Sequence, residues 1–505
     1  MQLSIPERTV ADTGSFPVNP DEVAQWLSTL KPLESDTGAR ELYRGLKHSN
    51  RLHSDPAQRR LVISCLVPVL RDIHQQLCEV SNAQPLPLTR DFSRAASLRI
   101  ALLREEVVAF KILLCDSDQP EADDARRAMQ ALARMAESVV HGYRRLTDTI
   151  LKEAHQLYAM AEEYGMLGVT GDESVRSLEE HYKFILLLSI SDLQQQRVRQ
   201  LPLLISFLRD ATADFQLERN TPANTVSSAD YAIDLERGSW PEPSASLLSH
   251  SQQNIRWFSI SLVLQQIDQT SNNTHKNVNS IVDANVLERQ SLTRLHTALT
   301  RRRTRRLNRS ITAIPQKVLF GHKEICAHLL YWPTQTASNS ASNWAQINQS
   351  MQGVRLRNAN CSAGLVQVGE LVSVLDVNDV EAHVSSSGKV ETKMGVVRWV
   401  CDLGNQAIEV GVEFLALSVL PVQVIRNESS DPVSANNTNF DVCENAIIMA
   451  CKVQNAVHQT ILLPPYNYQS GDRLVASQGD RSLNIQLHNR LQSNGLFSQY
   501  SLLNA

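Results

Sequence analysis

No apolar run in this 505-residue chain approaches the eighteen or so residues of a membrane-crossing helix; the densest short stretch is Phe184 to Leu188. None of the eight cysteines falls in a Cys-x-x-Cys pair, and the fourteen histidines are not spaced as zinc ligands. A P-loop, a Gly-x-Ser-x-Gly elbow, a His-Glu-x-x-His helix and a Gly-x-Gly-x-x-Gly turn are all missing. The acids of Thr170-Gly171-Asp172-Glu173-Ser174 fit a helix start, where they favour the N-terminal dipole, better than a catalytic site. His322 and His328 read as strand residues engaged in packing or at the surface. These absences lead us to expect no enzyme, metal site or cofactor. One sign of charge does not dominate either: 49 Lys and Arg against 53 Asp and Glu leave a net charge of -4. A dedicated nucleic-acid binder would show a domain-wide basic excess, so nucleic acid is an unlikely partner. The opening MQLSIPERTVADTG lacks a basic region followed by an apolar one, so the expected location is the cytoplasm, with the cysteines as buried reduced thiols.

What is present suffices for two to four domains with full-sized cores, at 42% hydrophobic and 20% charged residues. Residues 1–215 read as an α-helical bundle or array. Asn19-Pro20-Asp21-Glu22 starts the first helix, with a cap, proline at N1 and acids in the first turn. Longer patterns follow at about 57–81, 92–115, 121–165 and 174–210, with apolar residues such as Leu98, Leu102, Val108 and Ile112 at three- and four-residue steps. HQLYAMAEEYGML at 155–167 is similar to one helix of a tetratricopeptide hairpin, but no period repeats with fidelity. Residues 216–250 turn polar and proline-bearing, as a linker or surface excursion would, and 251–300 read as a connecting helix.

That helix leads into Arg301 to Arg309 (RRRTRRLNR), six arginines in nine residues. Asn348-Gln-Ser350-Met-Gln-Gly353 follows some way downstream. A guanidinium is planar and permanently charged; it can fork onto guanine O6 and N7, stack on a purine or grip a phosphate. Guanine N1 and N2 donors need acceptors, which the amide oxygen of Asn348 and the hydroxyl of Ser350 supply. Gly353 lets the backbone come close to a ligand. From Gly353 on, GVRLRNANCSAGLVQVGELVSVLD and MGVVRWVCDLGNQAIEVGVEFLAL alternate apolar with polar residues between glycine-bearing turns, as short antiparallel strands do.

Residues 301–425 resemble a PilZ domain, a bacterial receptor module for cyclic di-GMP. The resemblance rests on four features in order: the Arg-x-x-x-Arg arm, the Asn-x-Ser-x-x-Gly arm followed by VRL, Gly395-Val-Val-Arg398-Trp399, and Glu409-Val-Gly411-Val-Glu413-Phe414. It implies an antiparallel β-barrel whose two arms hold the cyclic dinucleotide without breaking a bond. Asn348, Ser350 and Gly353 occupy the second-arm positions. In the first arm Arg301/Arg305, Arg302/Arg306 and Arg305/Arg309 all satisfy the spacing. Arg302 and Arg306 are favoured because Leu307 follows as the chain enters the barrel, with Arg305 in reserve. Arg398 and Trp399 read as barrel surface and core, outside the site. The arms stand far apart, with the polar TQTASNSASN between them, and asparagine at 348 keeps an acceptor but loses the charge an aspartate would bring.

Beyond a polar stretch, NAIIMACKVQ, QTILLPP, DRLVASQG and RSLNIQLHN read as four strands of a small C-terminal β-domain at 440–505, or of an extension of the first barrel. The Tyr466-Asn-Tyr468 turn is a possible partner-facing loop. The expected fold class is thus multidomain α plus β, a helical bundle or array followed by a PilZ-like antiparallel barrel and a second small β-domain. The expected function is a non-enzymatic cyclic di-GMP effector that signals to an unidentified partner protein through the helical region. The resemblance links such modules to motility, surface attachment, exopolysaccharide production and virulence. The alternative is a helical scaffold whose barrel binds no nucleotide.

Overall fold

The computed structural model describes the chain except for residues 1–2, 11–15, 18, 31–34, 82–83, 170–174, 220–229, 245–253, 274–288, 301–309, 331–341, 363, 377–389, 427–442, 454–455 and 505. Contacts divide it into a helical unit, 1–84 with 88–304, and a β unit, 85–87 with 305–505.

The helical unit begins as its capping residues dictate. Asn19 Oδ1 accepts the Asp21 N–H at 3.0 Å, starting α1 (Pro20–Leu30). Next come α2 (Ser35–Ser49), α3 (Pro56–Ser81) and α4 (Arg90–Asp116). The pattern over 121–165 divides at Gly142 into α5 (Ala122–His141) and α6 (Asp148–Glu163), the second capped by Thr147. The 174–210 pattern also divides. A capping box of Ser177 and Glu180 opens α7 (Leu178–Ile190), Asp192 turns left-handed at φ 44°, and α8 (Leu201–Asp210) restarts with Pro202 in its first turn. In α4, Leu102 and Ile112 are fully buried, whereas Leu98 and Val108 are half-buried at the margin of that core.

Two later segments differ from their sequence reading. Within 216–250, β1 (Asp230–Asp234) is the middle strand of a sheet completed by β2 (Glu242–Pro243) and β3 (Ile255–Ser259). Tyr231, Ala232 and Ile233 are buried there, with Tyr231 stacked on Phe258 at 5.5 Å. Strands of five residues buried on both faces show no alternation, so neither could be told from coil or helix. Residues 251–300 accordingly hold β3, α9 (Ser261–Asn273) and α10 (Arg289–Thr300) rather than one helix.

The β unit contains β4 (Ser310–Phe320), α11 (His322–Leu330), β5 (Ser342–Ser350), β6 (Gly353–Asn358), β7 (Leu371–Asp376), β8 (Val390–Gly404) and β9 (Ala407–Arg426). After them come β10 (Glu444–Val453), β11 (Ala456–Leu463), β12 (Arg473–Gln478), β13 (Arg481–Ser493) and β14 (Ser498–Asn504). Pairing runs β9-β6-β5-β4-β7-β8 and back to β9, closing a six-stranded antiparallel barrel. The order β9-β10-β11-β14-β13-β12 also returns to β9. Both rings share this 20-residue strand: β8 pairs with it up to Val419, and β10 and β12 pair with it from Val419 to Arg426. The C-terminal segment supplies five strands, one more than the sequence suggested, because β14 follows β13 after a short turn.

His322 and His328 lie on α11, not on a strand. Ile325, Cys326 and Leu329 form the inner face of that helix and pack with Val419, Ile447 and Phe497. His322 is buried, with Nε2 donating to the Leu462 carbonyl at 3.3 Å. The helix contributes nine residues to the interval between the two arms, while the polar TQTASNSASN, apart from Ser342 and Asn343, lies outside the described residues. All eight cysteines are free; Cys326, Cys361, Cys401 and Cys451 are buried, whereas Cys115 and Cys443 are exposed, against the expectation that all would be buried. Burial pushes the Cys326 and Cys361 thiols up to about 12, so neither is a thiolate at neutral pH.

Candidate functional site

The Asn-Ser-Gly arm is a β-hairpin. Ser350 ends β5, Met351 and Gln352 turn, and Gly353 opens β6 opposite Ser350. Ser350 Oγ donates to the Gly353 carbonyl at 3.3 Å, and Gln352 O accepts the Phe414 N–H at 2.9 Å, tying the turn to β9.

Gly353 has a local reason to be glycine. A Cβ there would stand 2.3 Å from the Val412 carbonyl oxygen on β9, a backbone atom that cannot swing aside. We expect Gly353→Ala to destabilise the barrel by about 2 kcal/mol, a typical overpacking cost. The check is denaturant unfolding followed by the fluorescence of Trp344 and Trp399, and an unchanged midpoint would refute it. Loss of ligand binding in this variant alone would therefore say little about direct contact.

Register sets what surrounds the arm. Asn348 pairs with Arg355 on β6 and Ile311 on β4, and Gln349 pairs with Ser310. A register shift between Gln346 and Asn348 re-aims the end of β5. Along β6, Val354, Leu356 and Asn358 are buried, which leaves Gly353, Arg355 and Arg357 outward, with Asn348 opposite Arg355 on the same face. Ser310 is the residue immediately after the RRRTRRLNR run, so that run ends one peptide bond from the strand position beside Gln349. Arg302, Arg305 and Arg306 themselves lie outside the described residues.

The sequence reading missed a three-residue charge device on this face. The Glu409 side chain is 2% exposed and takes forks from both Arg355 and Arg357, with Nε contacts of 3.0 and 2.8 Å. Burial alone would raise the Glu409 carboxyl; the two guanidiniums outweigh it and hold it below its ordinary range. Beside it the Trp399 indole covers Gly411, where an added Cβ would come 2.0 Å from Nε1. Arg398 pairs with Glu413. The signal was present as same-face charges, two residues apart in VRLR and four apart in EVGVE, but it needs the β6–β9 pairing of Arg357 with Glu409 to be read. Arg355, Arg357 and Arg398 are each committed to a carboxylate.

Among the described residues no group of three or more His, Cys, Asp or Glu is placed to hold a metal ion, and no helix is long and apolar enough to cross a membrane. No curated protein matches the chain. Residues 21–223 match a protein family described as "Cyclic-di-GMP receptor FimW, N-terminal domain", a match that falls within the helical unit apart from residues 85–87.

Proposed function

We propose that the chain is a non-enzymatic receptor for cyclic di-GMP, which the β unit binds and whose occupancy the helical unit reports to a partner protein. Two independent supports converge on one ligand. The helical unit matches the N-terminal domain family of a cyclic di-GMP receptor, while the PilZ-like arms lie in the other part of the sequence. The observation that carries the site is the register of Ser310 beside Gln349. A chain reaches at most about 3.6 Å per residue, so Arg306, four residues before Ser310, is tethered within roughly 14 Å of that point.

In this reading Arg302, Arg305 and Arg306 take the phosphates and the O6/N7 edge of guanine, while Asn348 and Ser350 accept from N1 and N2. Gly353 keeps the hairpin seated on β9. The boundary between the two units falls between Thr304 and Arg305. A ligand held by these arginines acts on the covalent link itself, which gives occupancy a route to the helical unit.

Titration calorimetry of the full chain with cyclic di-GMP tests the proposal. Saturable heat is expected, with Asn348→Ala weakening affinity by roughly tenfold through the loss of one base-edge acceptor. No heat from the unaltered protein would favour the scaffold reading. A titrated RNA that binds regardless of Asn348 and weakens steeply with salt would make the arginines a polyanion patch instead.

A further inference from the structure

Helix α5 buries twelve of its twenty residues, and what it leaves partly or fully exposed runs along one side, Ala122 and Asp123 and then Arg126, Arg127, Gln130, Arg134, Glu137 and His141. The acids around this line are already engaged. Asp123 accepts from Arg126 and Arg127, Asp210 lies 2.9 Å from Arg176, and Glu137 lies 2.6 Å from Arg209 and 3.7 Å from His141. Two guanidiniums are left over: those of Arg134 and of Arg99 on α4 have no hydrogen bond or ion pair among the described residues. Arg99 is only 8% exposed, and its Nε is enclosed without an acceptor.

Arg99 lines a small notch with Leu88, Ala96, Ser138, His141 and Gly142, open on one side and with room for a single water-sized group. His181 on α7 adds no countercharge. Burial, reinforced by Arg126, Arg134, Arg176 and Arg209, pushes its imidazole down to about 3, and its Nε2 is unpartnered. A guanidinium as enclosed as Arg99 is unfavourable until an oxyanion completes it.

We propose that this α5 face is a docking surface for an acidic segment of a partner protein, with one carboxylate oxygen entering the notch at Arg99 and His141 and a second carboxylate meeting Arg134. The proposal does not rest on nucleotide binding. Seven residues of helix separate Arg134 from His141, roughly 10 Å at 1.5 Å per residue, which is also the separation of glutamates seven apart on a partner helix. A nucleic acid fits poorly. Asp123, Glu137 and Asp210 are interleaved with the arginines and would face its phosphates, and the notch admits one oxygen rather than a whole phosphate.

The test is fluorescence anisotropy on the full-length protein with a labelled helix-forming peptide carrying glutamates seven apart. A peptide with glutamine in their place and a labelled single-stranded oligonucleotide run beside it. Binding by the glutamate peptide is expected to weaken on the order of tenfold in Arg134→Gln and in Arg99→Gln, with partial recovery in Arg99→Lys and no change in Arg481→Gln on β13. Arg134 is half-exposed, so its variant decides the matter should Arg99→Gln fail to fold. Equal binding of the two peptides, unchanged affinity in Arg134→Gln, or tighter oligonucleotide binding lost in the same variants would each overturn the proposal.

Discussion

Replacing Arg302 and Arg306 together by alanine is expected to abolish the binding heat of cyclic di-GMP, a loss of about two to four powers of ten in affinity. Each bidentate guanidinium contact contributes roughly 1–3 kcal/mol, so two of them account for that range. The barrel offers little compensation, because Arg355 and Arg357 are clamped on Glu409 and Arg398 on Glu413. Freeing both Arg355 and Arg357 would strand the buried Glu409 carboxylate, and freeing Arg398 would leave Glu413 without this pair. Calorimetry of the single variants assigns the register. If Arg302→Ala and Arg306→Ala bind normally while Arg305→Ala does not, the arm is Arg301/Arg305 or Arg305/Arg309. If all bind normally, the arginine arm is wrong although the receptor reading survives, and silence from the unaltered protein sinks the receptor reading itself.

The helices were legible because their signals are local. Asn19 before Pro20 acts within one turn, and the structure uses it as a cap, whereas the start expected at 170–174 lies outside the described residues and the capping box of Ser177 and Glu180 was not read. Helix ends inside long apolar patterns were not legible: Gly142 and the left-handed Asp192 interrupt runs whose hydrophobic spacing continues across them. Pairing that depends on distant sequence was hidden as well. Nothing in AIEVGVEFLALSVLPVQVIR marks Val419 as the point where β9 leaves one ring for the other, because buried apolar residues lie on both sides of it. The same holds at the site. The spacing of Asn348, Ser350 and Gly353 named the hairpin, but the carbonyl that forbids a side chain at 353 belongs to Val412, and the partner of Arg355 and Arg357 is Glu409. Tertiary neighbours supply chemistry that motif spacing does not carry.

Acid should loosen the helical unit well before most of its carboxylates are protonated, and one reason, alongside His181 on α7, is His155 on α6. This imidazole is fully buried, 2.7 Å from the Tyr182 hydroxyl through Nδ1 and 2.9 Å from the Ser239 carbonyl through Nε2. A carbonyl only accepts, so Nε2 carries the proton and Nδ1 accepts from the tyrosine, a neutral tautomer satisfied at both ends. Tyr182 is locked in turn by stacking on Tyr158 at 4.3 Å. Burial pushes His155 down to about 4, against smaller upward pulls from the Ser239 carbonyl and Asp234. An unfolded histidine titrates near 6.5, so the unfolded chain binds the extra proton first. Stability from this residue is therefore complete above pH of about 6.5, falls as pH drops, and is lost by about 4. The difference of some 2.5 pH units corresponds to about 3 kcal/mol, or roughly three hundredfold in the opening equilibrium. Hydrogen exchange read by mass spectrometry, corrected for the intrinsic pH dependence of exchange, should show the gain in peptides from α6, α7 and β1. His155→Gln, which cannot protonate, should start less stable and lose its share of that slope, the remainder belonging to His181 on α7; an identical slope in the variant would assign the acid sensitivity to other groups.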